Sequence, residues 1–284
     1  MQGEHAQQGD LIGRFQRGDR TAFAAAVKPH WPAVQRLVQA IARDTGRSHD
    51  AAQETLVAAF RGAASFDPRR GALRPWLLAI ARREAYRARA GGLGDATAEP
   101  AEDEEALGAL GLRAGWSADD PEHLVARAED RERLSWALAS LSPGDREVVW
   151  LRDVEGLSGE ETAAITGIDL GAMKSRLHRA RLRVMAAIRE GEVSVVEQER
   201  TEGGLTCSQV LAQLSDYVDG QLPAIARQAI VAHLTGCTVC ERFGGRFRRT
   251  VLGLRTRLGA PSAVDEAAYL ELLERFERGG AQCS

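Results

Sequence analysis

The sequence predicts an all-α protein on three observations. Ala, Leu and Arg dominate while aromatic residues make up only 5% of the 284 positions, a balance that favours helices over strands. Apolar residues recur at three- and four-residue intervals rather than alternating. Glycine, proline and short polar residues fall at the ends of these periodic stretches, where helices must start and stop. No convincing strand and no internal repeat is present.

The chain is long enough for two or three domains, and its 44% hydrophobic and 27% charged residues are ordinary for a globular protein. No apolar run approaches the roughly 20 residues that span a bilayer. The opening MQGEHAQQGDLIGRF has no apolar segment of secretory type. A cytoplasmic location is therefore expected. The net charge of −3 conceals a pattern. Residues 1–90 carry 15 cations against 8 carboxylates, and residues 91–130 carry 2 against 11. Residues 131–190 carry 10 against 9, and the remainder 10 against 12. A basic front, an acidic joint and a locally basic block suggest polyanion-binding modules around a linker.

The first helical block covers about residues 10–90. Ala52, Leu56, Ala59, Phe60 and Ala63 share one helical face, and Trp76, Leu77, Ile80, Ala81 and Ala85 another. Between them SFDPRRGALRPW, with Pro68, Gly71 and Pro75, must turn. Residues 91–121 are small, acidic and glycine-broken and read as a flexible linker.

A second block, 122–190, opens with a helix holding Leu134, Trp136, Leu138 and Leu141. Ser142, Pro143 and Asp145 suit the start of the next helix, REVVWLRDVEG, which ends at Gly156. Ser158 and Glu161 form a capping box, Gly167 closes that short helix, and Gly171 to Ile188 forms a longer one. Two helices joined by a tight turn, the second rich in cations, match a helix-turn-helix. After a joint at 191–205, a third block at 206–245 starts with the cap pair Thr206 and Gln209. It reads as helices 207–219 and 224–235 followed by a cysteine pair. A helical extension, 246–284, completes the chain.

The long helix of the second block has Lys174, Arg176, Arg179, Arg181, Arg183 and Arg189 with no acidic residue between Leu170 and Arg189. Leu177, Ala180, Val184 and Ile188 form its apolar stripe. Cations of one sign repel one another unless phosphate lies against them, so this helix is expected to bind DNA; a merely solvated basic face is the plainer alternative. In helix-turn-helix geometry its first turns face base edges. Lys174 then suits a phosphate, Arg176 and Arg179 guanine edges, and Ser175 lies beside them.

The four cysteines, Cys207, Cys237, Cys240 and Cys283, all lie in the last third. His233 and Cys237 are four residues apart on one helical face, and Cys240 follows at CxxC spacing. Cys207 lies far enough upstream for one helix to run out and return. Three thiolates and an imidazole make a closed tetrahedral Cys₃His zinc site. A redox CxxC pair, or unrelated buried thiols, are the alternatives; the first would want a βαβ setting. Cys283 has no evident partner. The chain lacks a phosphate-binding glycine loop, a defensible Ser/His/Asp order and an open metal site, so an enzyme is not expected.

The stretch ALASLSPGDREVVWLRDVEGLSGEETAAITGIDLGAMKSRLHRARLRV resembles region 4 of extracytoplasmic-function (ECF) sigma factors, with Ala172-Met173 where the family usually has Thr-Val. DAAQETLVAAFRGAASFDPRRGALRPWLLAIARREAYRARA resembles their region 2. The two likenesses cover roughly residues 10–190. They imply a subunit that brings core RNA polymerase to promoters. Asp50, Gln53 and Glu54 would dock on a basic coiled coil of the polymerase. Arg69, Arg70, Arg74, Arg82, Arg83 and Arg87 would hold the melted −10 strand, with Trp76 stacking on a base or serving the core. Met173, Lys174, Ser175, Arg176, His178, Arg179 and Arg183 would meet the −35 element of duplex DNA.

CSQVLAQLSDYVDGQLPAIARQAIVAHLTGCTVCERF resembles the zinc-containing anti-sigma domain. The resemblance implies a regulatory module tethered behind the DNA reader, in intramolecular contact with the sigma modules. Its zinc would be either structural or redox-sensitive. A non-initiating anti-sigma-like or polymerase-binding adaptor is the alternative function.

Overall fold

A computed structural model describes residues 11–89, 104–116, 131–188 and 200–259. The linker segments 91–103 and 117–121, most of the joint at 191–199, Cys283 and residues 260–284 lie outside the described residues. The described chain is all-α apart from one two-residue hairpin. It falls into two compact units, residues 11–89 and the rest.

In the first unit a helical stretch over 11–16 leads to α1 (Arg20–Val27), whose N-cap Asp19 accepts from the Ala22 backbone N–H at 3.0 Å. A turn containing Pro29 passes into α2 (Trp31–Ala42). Asp44 then caps α3 (Thr45–Arg61) by accepting from the Arg47 N–H, and the 66–72 turn leads to α4 (Leu73–Ala88). Helices α2, α3 and α4 pack on one another around the fully buried Trp31, Leu37, Leu56, Leu77, Leu78 and Tyr86.

The second unit begins with α5 (Glu104–Arg113), a helix in what the composition suggested was flexible linker. Leu110, Ala114 and Trp116 are buried, which gives this acidic segment apolar anchors that override its charge. Next come α6 (Arg131–Ser140), α7 (Pro143–Val149), a π-helical turn at Trp150–Val154, α8 (Gly159–Thr166) and α9 (Leu170–Ile188). Ser142 caps α7 by accepting from the Asp145 N–H. The buried Arg146 guanidinium donates to the Leu138, Ala139 and Leu141 carbonyls, satisfying the end of α6. Both bonds of the Ser158–Glu161 capping box form. Gly167, at φ 75°, makes the left-handed step that ends α8.

An antiparallel hairpin follows, pairing Thr201–Glu202 with Leu205–Thr206, where the sequence suggested no strand. Gly203 and Gly204, both at positive φ, make the two-residue turn. The Thr206–Gln209 capping box opens α10 (Cys207–Val218), and α11 (Ala224–Gly236) and α12 (Thr238–Gly253) complete the module. Helix α12 runs straight into a second π-helical turn at Leu254–Leu258.

Two apolar clusters hold this unit together, and α9 belongs to both. Met173, Leu177, Ala180, Val184 and Ile188 fill the helix-turn-helix cluster with Leu134, Leu138 and Val149. Leu182 and Met185 enter the other cluster with Leu211, Leu214, Phe243 and Phe247 of the cysteine-bearing module. In return, Leu254 and Leu258 pack into the helix-turn-helix cluster. Burying one such side chain contributes about 1.5–3 kcal/mol, whereas the attraction within a buried ion pair is largely offset by the cost of taking both charges out of water. Apolar burial is therefore a major part of what holds the seam together.

Candidate metal centre and nucleic-acid interface

Cys207 lies at the start of α10, His233 in the last turn of α11, Cys237 at the N-cap of α12, and Cys240 one turn into it. Their ligand atoms all lie within 4.8 Å of one another, and every one of the four residues is buried. The Cys207 and Cys237 sulfurs are 3.8 Å apart. Tetrahedral Zn–S bonds of about 2.3 Å set neighbouring sulfurs roughly 3.8 Å apart.

The imidazole supplies the sharper test of fit. His233 Nδ1 lies 3.2 Å from the Glu202 carbonyl oxygen and 3.0 Å from that of Leu205. Carbonyls only accept, so Nδ1 carries the proton and the lone pair is on Nε2. Nε2 is buried and has no protein hydrogen-bond partner. A buried nitrogen lone pair among three sulfurs is the arrangement that a metal satisfies, with the Nδ1–H bonds orienting the ring. The hairpin has its purpose here: it delivers both orienting carbonyls. A Cβ on Gly203 would sit 2.8 Å from Ala232 Cβ, so the hairpin can approach α11 only with glycine at that position.

The thiols are differently placed. Burial pushes the Cys240 thiol up, as do the neighbouring Cys207 and Cys237 sulfurs. Burial also opposes ionisation of Cys237, yet its thiol is lowered, because the Cys240 and Val239 backbone N–H groups at the start of α12 donate to it. A metal bound here displaces protons from the sulfurs, and its binding free energy becomes folding free energy for the module.

Several cations of helix α9 face protein groups rather than solvent. Acidic residues from other elements meet its cations. Arg181, fully buried, donates to Asp153 at 2.9 and 2.6 Å and to Asp219 at 3.0 Å. Arg255 bridges the same two carboxylates, and Arg152 lies 3.5 Å from Asp219. Burial would raise the Asp219 carboxyl, but Arg181, Arg152 and Arg255 hold it below its usual range. Lys174 pairs with Asp216 at 3.3 Å, and Arg183 pairs with Asp145. Asp216 and Asp219 flank the end of α10, so the cysteine-bearing module neutralises Lys174 and Arg181 directly.

The other expected DNA contacts are placed as follows. Met173 is in the helix-turn-helix core. Arg176 is buried, its guanidinium against Gly144, and Arg179 is also buried. Ser175 is exposed. His178 Nδ1 lies 2.9 Å from Ser215 Oγ of α10, and its ring is 6.0 Å from that of Phe247. A cleft of about 240 Å³ between α9, α10 and Leu107 of α5 is lined by Lys174, Ser175, His178 and Arg179.

His178 gives this seam a pH dependence. Burial first, then Arg181 and Arg179, lower its pKa to about 4, whereas an exposed histidine titrates near 6.5. Undocking favours the protonated ring, so the docked state loses stability as pH falls from about 6.5 towards about 4. At pH 5 the loss is roughly 2 kcal/mol. Hydrogen exchange in α10, corrected for intrinsic rates, should speed up between pH 7 and pH 5 in the native chain. The change should be much smaller in His178→Gln; equal pH dependence in the two would exclude His178 as the cause.

In the first unit, Asp50 and Glu54 are exposed on one face of α3, with Gln53 half-buried beside them. Arg69 and Arg70 are exposed in the turn before α4, where Arg69 pairs with Asp67 at 3.0 Å. Arg74 is half-buried. Arg83 and Arg87 share the buried Glu84, and Arg82 lies over the Tyr86 ring at 5.0 Å. Trp76 is half-buried, 5.3 Å from Phe66 and 6.4 Å from Phe15 between ring centres, which engages its indole within the protein.

Comparison with known proteins gives these parts names. Residues 26–91 match the family profile for sigma-70 region 2, residues 131–184 that for sigma-70 region 4, and residues 207–240 a zinc-finger family profile. The chain is 31% identical over 183 residues to the RNA polymerase sigma factor CnrH of Cupriavidus metallidurans, spanning 63% of this chain and 92% of that one. The chain belongs to the ECF sigma factor family. The ECF RNA polymerase sigma-E factor of Escherichia coli is 34% identical over 176 residues, covering 60% of this chain and 88% of its own. A solved structure of CnrH in complex with the cytosolic domain of CnrY aligns with a TM-score of 0.43 and 24% identity, over 61% of this chain and 92% of that one.

Sigma factors are initiation factors that bind core RNA polymerase and promoter DNA, not enzymes. In this ECF sigma factor region 2 corresponds to α2–α4 and region 4 to α6–α9, and the zinc-finger match spans the clustered Cys207, His233, Cys237 and Cys240. No described helix is long and apolar enough to cross a membrane. Several residues that build the seam went unread in the sequence: Leu182, Met185, Asp216, Asp219, Ser215 and Trp116. The only signal for the first two was an apolar pair three apart on the cationic side of α9.

Proposed function

We propose that this ECF sigma factor directs promoter-specific initiation and is held inactive in cis by its zinc-binding tail. The observation that carries the reading is the occupation of α9 by α10. Asp216 takes the place on Lys174 that a phosphate would otherwise claim, Asp219 joins Asp153 around Arg181, and Ser215 covers His178. A helix so covered cannot enter a major groove roughly 12 Å wide. Zinc, the natural occupant of a closed Cys₃His set, folds the module that makes these contacts. When the tail lifts, Lys174, Ser175, His178 and Arg179 are uncovered and serve as −35 readers together with Arg176 and Arg183, which region 4 itself holds against Gly144 and Asp145. Arg69, Arg70, Arg74, Arg82, Arg83 and Arg87 act on the −10 strand, and Asp50, Gln53 and Glu54 hold polymerase.

Runoff transcription with core polymerase tests the proposal. Ser215→Arg puts a bulky cation against His178 and beside Arg179 while leaving the candidate metal donors and every expected DNA contact unsubstituted. It should raise promoter-specific product and tighten binding to the promoter fragment by about tenfold or more, the worth of roughly 1.4 kcal/mol at the seam. Equal output from the variant and the native chain, both zinc-loaded, would refute inhibition in cis. No promoter-specific product from either, nor from a chain lacking the tail, would favour a non-initiating adaptor.

A further inference from the structure

Part of the connector between the two sigma modules belongs to the seam. Leu110, Ala114 and Trp116 are buried in one cluster with Leu211, Leu214 and Phe243 of the tail and with Leu182 and Met185 of α9, and Leu107 packs against it. Helix α5 therefore packs on region 4 and on the tail at once. Two glycines fit it to that place. Glycine inside a helix is destabilising relative to alanine, yet a Cβ on Gly111 would stand 2.7 Å from Leu211 Cδ2 and 3.3 Å from the Trp116 ring. Gly115, at φ 97°, ends the helix: its N–H donates to the Leu112 carbonyl and that of Trp116 to the Gly111 carbonyl. The Gly115 carbonyl then accepts from the Arg246 guanidinium of α12 at 2.6 Å.

Fastening α5 limits how far the connector can reach. Fifteen chain steps separate Arg89, the last described residue of the first unit, from Glu104, and 42 separate it from Arg131, where region 4 begins. At no more than about 3.6 Å per step, the first path reaches about 50 Å and the second about 150 Å. With α5 in the seam the shorter path is the limit; with α5 free it is the longer. Because α5 shares one cluster with α9 and α10, its docking and the tail's stabilise each other, and linkage makes the effect reciprocal.

We propose that the tail also clamps the connector: docked α5 holds regions 2 and 4 on a short tether, and α5 leaves the seam in the same event that lifts the tail from α9. The inference deepens the reading of inhibition in cis and takes its regulatory meaning from it. A promoter presents its −10 and −35 elements apart. Reach is thus a second quantity that the tail withholds, beside the surface of α9.

Single-molecule energy transfer in the full chain reads the tether directly. Dyes are carried at Arg47 of α3 and Ser135 of α6, both exposed, through a chemistry that spares thiols. Leucine at position 111 favours the helix itself but has no room against the buried Leu211, so Gly111→Leu should displace α5. Arg246→Met removes the donor to Gly115 and keeps the apolar stem. Both should add a population at longer distances than the native chain shows, larger in Gly111→Leu. In that variant trypsin should cut after Arg113 about tenfold faster, which corresponds to roughly 1.4 kcal/mol of lost docking. Ser215→Arg, which leaves α5 unaltered, should lengthen the distances as well. Native distances in both Gly111→Leu and Arg246→Met overturn the clamp. Native distances in Ser215→Arg, when that variant raises promoter binding, overturn it too and leave inhibition in cis standing. Longer distances in Gly111→Leu and Ser215→Arg, with native promoter binding in both, support the clamp and overturn inhibition in cis.

Discussion

Removing everything after Glu190 is expected to tighten binding to the promoter fragment by roughly 100-fold. The estimate follows from the tether. Linked modules experience an effective concentration of order mM, so an isolated tail–region 4 affinity of only about 10 μM leaves about one chain in a hundred open. The interface described here is adequate for that, with Leu182 and Met185 buried in the tail's core and Arg181 enclosed by Asp153 and Asp219. The gain should appear in gel-shift or anisotropy titrations and should bring a steeper salt dependence, because Lys174, now paired with Asp216 of the tail, becomes available to phosphates. The cut also uncovers Leu182 and Met185 and withdraws Leu254 and Leu258 from the helix-turn-helix cluster, so dilute protein is required. Unchanged or weaker binding by a folded, monomeric fragment would mean that the tail supports α9 instead of blocking it.

Loss of metal should have the other large effect. In zinc-folded modules the metal contributes about 10–16 kcal/mol at neutral pH, more than a domain's usual stability of roughly 5–15 kcal/mol can spare. Chelation, or Cys237→Ser, should therefore unfold α10–α12 while leaving region 2 intact, seen as a partial loss of helical circular dichroism and one zinc released per chain. Promoter binding should then approach that of the shortened chain. Peroxide offers a second route to the same end, since oxidised sulfurs no longer ligate. Complete zinc release with no change in promoter-directed output would separate the metal from regulation altogether.

The fold was largely readable because its local rules agree. Asp44, Ser142, Ser158 and Thr206 cap where polar residues precede periodic stretches, and Gly167 ends α8 as an αL glycine should. The clustering of His233, Cys237 and Cys240 was readable for the same reason: helical spacing fixes His233 against Cys237, and a helix start fixes Cys240. What escaped was long-range. Nothing local marks Asp216 and Asp219 as partners of Lys174 and Arg181, for charge complementarity between residues so far apart in the chain leaves no period to detect. The hairpin was missed because two residues per strand give no alternation, although Gly203-Gly204 between short extended pieces is a turn signal. In α5 and the residues just after it, acidic composition masked the apolar anchors Leu107, Leu110, Ala114 and Trp116. The one-signed face of α9 was legible in the sequence, whereas the acids that meet it come from other elements.

Helix α9 lends residues to two hydrophobic interiors, and this constrains how the protein can change. A substitution at Leu182 or Met185 is felt by the tail, one at Leu177 or Val184 by the DNA reader, and neither body can drift in sequence without the other registering it. Shortened forms inherit a greasy strip that invites self-association. Selection on either half therefore acts on the joined polypeptide, which gives the tail and the helix it covers a shared evolutionary fate that two freely diffusing proteins would lack.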